Sequence, residues 1–152
     1  MIPRTLGLRL LRAGALMAAV LGAQQAAALE IKSCDDANVG LTELIAPVVS
    51  NSRTYKDGKI SLYGVDTVEP VCCAAGVALV IPDVTDETGG NQCLAVVGVA
   101  SVQLDETTTE DDTQKGLLLT IPTRVFNEAA DSAPGAPLKL RVNVDKGTVA
   151  LE

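Results

Sequence analysis

The stretch that most constrains the fold lies at the end of the chain. From residue 138 the sequence alternates without a break. Leu138, Leu140, Val142 and Val144 are apolar, and Lys139, Arg141, Asn143 and Asp145 between them are polar. Successive side chains on a strand point to opposite faces, so this pattern is a strand with one face in a core and one in water. Lys146-Gly147 turns the chain, and Val149 and Leu151 return on the buried face. A lone hairpin is barely stable in water, so this one implies further strands to pack against.

Those strands are readable upstream. Lys56-Asp57-Gly58-Lys59 is an Asp-Gly hairpin turn, because both central residues of a type I′ turn need positive φ. Its register pairs Tyr55 with Ile60 and Arg53 with Leu62, within a ribbon over about 49–65. Residues 77–81 (VALVI) form a continuous apolar run, as expected of a central strand, closed by Pro82-Asp83. Residues 93–104 make the longest strand candidate, with Leu94, Val96, Ala100, Val102 and Leu104 on one face. An acidic loop over 105–114 (DETTTEDDTQ) precedes a returning strand over 117–126. There Pro122 cannot donate to a ladder and implies an edge or a bulge. Residues 131–137 (DSAPGAP) read as loop. Residues 36–50 are ambiguous. Leu41, Leu44, Ile45, Val48 and Val49 have helical spacing, but Gly40 and Pro47 interrupt it, leaving a turn of helix or a strand. The expectation is an all-β chain: an antiparallel β-sandwich, Ig-like or similar, of about seven to nine short strands. With no internal repeat or linker, 29–152 reads as one domain.

The N-terminal segment has a different grammar. Arg4, Arg9 and Arg12 form a basic start, 13–23 is an uncharged run, and Ala26-Ala27-Ala28 supplies the small side chains a signal peptidase reads. The run of about 11 residues falls short of the roughly 20 that a membrane span needs. Residues 1–28 are therefore expected to be a cleaved Sec-type signal peptide. No twin-arginine pair is present, and Cys34 is in the wrong context for a lipoprotein. The mature protein would be periplasmic or secreted, with no membrane span after cleavage. Cleavage leaves nine basic residues against nineteen acidic ones, a net charge of −10, which repels nucleic acid and anionic membranes.

Composition excludes several chemistries. The chain has no His or Trp, and its two Met residues lie in the signal segment. Ser-His-Asp and Cys-His catalysis and imidazole or thioether metal sites are thus unavailable. The aromatics are Tyr55, Tyr63 and Phe126, too few for stacking on sugars or bases.

Cys34, Cys72, Cys73 and Cys93 form an even set in an exported chain, so two disulfides are expected. A ring closed between the adjacent Cys72 and Cys73 is uncommon. Cys72 and Cys73 on a strand would point to opposite faces and find separate partners. The expected pairings are then 34–72 with 73–93, or 34–73 with 72–93. The apolar and acidic neighbours of Cys72 and Cys73 do not favour a reactive thiolate.

Two acidic loops are the candidate metal site. Asp83, Asp86 and Glu87 lie in one, and Asp105, Glu106, Glu110, Asp111 and Asp112 in the other. Calcium takes six to eight oxygens, often from loops, although no EF-hand spacing is present. The alternative reading of these loops is a solvated acidic surface. With no catalytic constellation, the leading functional expectation is a non-enzymatic binding, assembly or inhibitor module whose partner is another extracytoplasmic protein. The Pro122 edge and the 49–65 hairpin are its candidate contacts. A calcium-binding or calcium-stabilised β domain is the second expectation.

Overall fold

A computed structural model describes residues 28–68, 73–126 and 132–152. The signal-peptide expectation falls almost wholly on 1–27, outside the described residues. The described chain is all-β and antiparallel, and its only helical pieces are two short 3-10 turns. Twelve strands occur among the described residues. They are β1 (Lys32–Ser33), β2 (Ser52–Tyr55), β3 (Ile60–Asp66), β4 (Ala75–Pro82), β5 (Asn91–Val99), β6 (Ser101–Val102), β7 (Thr108–Asp112), β8 (Gly116–Ile121), β9 (Thr123–Phe126), β10 (Ser132–Pro134), β11 (Leu138–Asn143) and β12 (Thr148–Leu151).

They form a five-stranded sheet in the order β1-β5-β4-β3-β2, a four-stranded sheet β12-β11-β8-β7 and a small sheet β10-β9-β6. Part of the excess over seven to nine strands comes from two strands that break and change sheet. The long strand expected over 93–104 breaks near Ala100, after a bulge where Ala75 faces Val99 but Gly76 faces Val97. Its continuation, β6, joins a different sheet. The strand over 117–126 breaks at Pro122 in the same way, with β8 in the four-stranded sheet and β9 in the small one. Pro122 therefore marks a change of sheet rather than an open edge, since β9 has a neighbour on each side. Two further strands lie where loops are expected: β7 within the acidic segment 105–114 and β10 within 131–137.

The hairpin register follows the turn. Lys56 and Asp57 have φ 55 and Gly58 φ 83, the Lys59 N–H donates to the Lys56 carbonyl, and Tyr55 faces Ile60 while Arg53 faces Leu62. The 138–151 pairing also agrees with its alternation, with Val142 opposite Val149 and Leu140 opposite Leu151. β4 is the central strand of its sheet, as the 77–81 run implies.

Parity along the strands then divides the core. Ile60, Leu62, Val77, Leu79, Ile81 and Val96 of the five-stranded sheet pack against Leu117, Leu119, Ile121, Leu138, Leu140 and Val142 of the four-stranded sheet. Leu104, in the second 3-10 turn, joins them. The two sheets thus meet face to face, with each fully buried aliphatic side chain contributing about 1.5–3 kcal/mol. The opposite face of the five-stranded sheet carries a separate, smaller cluster of Cys34, Val39, Val65, Ala78 and Ala95.

One disulfide is seen in full, Cys34–Cys93, with a Cα–Cα distance of 5.4 Å. This corrects both expected pairings, neither of which joined these two residues. β1 lies beside β5, with Lys32 opposite Ala95, and the Cys34 N–H donates to the Cys93 carbonyl. Strand pairing therefore brings the two sulfurs together although 59 residues separate them in sequence. Cys73 is also disulfide-bonded, and Cys72 lies outside the described residues.

Candidate interaction surface

The second cluster exists because residues 34–45 cross the outer face of the five-stranded sheet as a strap. Its first turn is local. The Ser33 hydroxyl donates to Asp36 and accepts the Asp36 N–H, and the Val39 N–H donates to the Cys34 carbonyl. A 3-10 turn, Leu41–Glu43, follows, and the Glu43 carboxylate accepts the Gly40 N–H at 2.7 Å and the Thr42 hydroxyl at 2.6 Å. The helical spacing of 41, 44 and 45 thus yields a single short turn. The strap then rejoins the sheet. Leu44 bridges Val65, and the Ile45 N–H donates to the Gly64 carbonyl at 2.9 Å.

Between strap and sheet lies a groove of about 370 Å³. Val39, Gly40, Leu41 and Leu44 form one wall. Tyr63, Ala78, Val80 and Cys93, from β3, β4 and β5, form the other. Among the described residues no charged side chain lines it. Leu41 is 88% exposed, and Val49, a few residues further along the same loop, is 86% exposed. Large aliphatic side chains held this far into water mark a surface suited to a partner.

The 49–65 hairpin is split by parity. Tyr63 reaches the groove, while Tyr55 packs on the main core and burial pushes its phenol upward in pKa. The hairpin's free edge, β2, is partly covered by its own Arg53, whose guanidinium donates to the carbonyls of Ser50 and Ser52.

None of the candidate acidic residues lines the groove, and three of them serve their own loops. The Asp83 carboxylate accepts the Thr85 hydroxyl and N–H, and that of Asp86 accepts the Thr88 hydroxyl, the Thr88 N–H and the Gly90 N–H. Asp112 accepts the Lys115 and Gln114 N–H groups. These bonds hold all three below the usual carboxylate range: first the Thr85 and Thr88 hydroxyls for Asp83 and Asp86, and the Lys115 N–H for Asp112. Glu87 is exposed beside Asp86. Asp105 and Glu106 sit in the second 3-10 turn, and Glu110 and Asp111 lie on β7. Asp111 pairs with Lys56 across a second groove of about 320 Å³, which also holds Lys59, Asp112 and Asp145. Among the described residues no group of three or more His, Cys, Asp or Glu side chains is arranged to hold a metal ion. Because the carboxylates of Asp83, Asp86 and Asp112 are already bonded to their own turns, millimolar calcium followed by chelator is expected to leave Tm unchanged, and a rise of several degrees with calcium would contradict this.

The turn carboxylates set a pH dependence. Arg141 likewise lowers Glu152, its Nε and Nη2 donating to the two carboxylate oxygens at 2.8 and 3.1 Å. A carboxylate whose pKa is lower in the folded state stabilises the fold above its ordinary pKa, and that contribution is lost as pH falls through the lowered value. Tm is expected to hold from pH 7 to about 5 and to fall below about pH 4. Asp86→Asn, which keeps the side-chain size but not the charge, is expected to fall less steeply over the acid range in calorimetric scans.

No helix among the described residues is long and apolar enough to cross a membrane. Compared with known proteins, the chain matches no family model, no curated protein and no solved structure.

Proposed function

We propose that the chain is exported and, once residues 1–28 are removed, acts as a non-enzymatic β-sandwich module that binds another extracytoplasmic protein through the strap groove. The observation that carries this reading is the uncharged groove itself, bounded by a leucine that is 88% exposed. A chain without His lacks the Ser-His and Cys-His pairs of nucleophilic catalysis, and an apolar concavity with a projecting aliphatic anchor fits the way protein partners are held. Leu41→Asp places a charge at the rim without touching either cluster. The expected result is at least about a tenfold loss of co-purified partner from the cell envelope, with Tm within about 2 °C of the parent. Equal recovery of partner by the variant would overturn the reading.

A further inference from the structure

The groove has one wall that belongs to the sheet and one that does not. We infer that the Cys34–Cys93 disulfide is the latch of this groove rather than the staple of the fold: its reduction by a dithiol frees the strap and opens the groove while the two packed sheets stay folded. The main cluster between the sheets draws no residue from 34–45. The strap fully buries Cys34 and Val39 in the smaller cluster and packs the half-buried Ala37 and Leu44 against it, while Asp35, Asp36, Asn38, Gly40, Leu41 and Thr42 are all exposed. One buried valine and the half-buried Ala37 and Leu44 do not offset the conformational entropy of ordering ten residues, so the strap depends on its two fastenings. At the far end these are the Leu44–Val65 bridge and the Ile45 N–H bond to Gly64. At the near end β1 is two residues long, and the covalent bond to Cys93 is the strong element.

Cys93 is half-buried and lines the groove, so the bond is approached from the groove side. In the exchange, a thiolate of the dithiol attacks one sulfur and its second thiol completes the reaction. Two electrons and two protons pass to Cys34 and Cys93, which become thiols, and the dithiol becomes a disulfide. The consequence for binding rests on the groove being the partner site, but the latch itself does not.

The test is amide hydrogen exchange on the full mature chain carrying Cys34→Ala with Cys93→Ala, which leaves the bond of Cys73 untouched. The expected result is that amides at 37–45 lose protection to within about tenfold of a free chain, while those of β4, β8 and β11 remain at least about a thousandfold protected. Uniform loss across the chain would overturn the inference, because the bond would then be holding the fold. Retained protection at 37–45 would overturn it too, because the strap would not need the bond. Alkylation of the parent protein during dithiothreitol titration supplies a second reading. Loss of strap protection is expected to track labelling of Cys34 and Cys93, and strap loss before that labelling would count against the latch. None of these readings requires a partner, so an absent partner at Leu41 and an absent latch are separate failures.

Discussion

Leu79→Ala is expected to lower the unfolding free energy by about 2–5 kcal/mol, read as a fall in the urea midpoint with the slope unchanged. Leu79 sits mid-way along the central strand with no exposed surface. It faces Leu62 on one neighbour and Leu94 on the other, and its side chain belongs to the cluster that joins the two sheets. Truncation removes apolar contact and leaves a cavity that strands paired on both sides cannot close by shifting. A loss under about 1 kcal/mol would mean that the sheets do not pack on this face. Val39, by contrast, lies in the smaller cluster, so Val39→Ala is expected to loosen the strap while the sheets keep their cooperativity.

Gly116→Ala is the second large effect, expected at about 2–4 kcal/mol for two reasons that add. Gly116 has φ +94, a backbone conformation that costs an L side chain energy. A Cβ built there would also lie 2.2 Å from the Val142 carbonyl oxygen on β11, so backbone must move to admit it. The residue follows the turn that closes the β7–β8 hairpin, opposite Asp112. The same urea titration reads this loss, and an unchanged midpoint would show that the hairpin sits farther from β11 than described.

What was legible in the sequence was whatever local rules decide. The Asp57-Gly58 turn fixed its own register, because turn geometry dictates which residues face each other. The alternation over 138–151 fixed which side chains enter the core, because parity alone decides it. The same parity puts Tyr63, Val80 and Cys93 on one face, so half of the groove was implicit in the strands. The other half was not. The path of 34–45 across that face depends on a short β1 pairing with β5 and on one long-range disulfide, neither of which has a local signal. Pro122 marks an interruption without saying which sheet the chain joins next, and the break near Ala100 has no local signal. An apolar face continues through each, and only the competition between two sheets for the next strand decides the partner. The acidic segment misled because charge reads as loop, whereas Thr108–Asp112 is an exposed edge strand, where charged side chains discourage pairing with other chains.

The most direct measurement places a photo-reactive residue at Leu41 in one strain and at Lys139 in another. Lys139 is exposed on the solvent face of the four-stranded sheet, turned away from the groove. After irradiation of intact cells, position 41 is expected to yield one discrete cross-linked species that carries a second extracytoplasmic protein, and position 139 is expected to yield uncoupled protein. Uncoupled protein from both positions, or the same adduct from both, would contradict a binding surface at the strap groove.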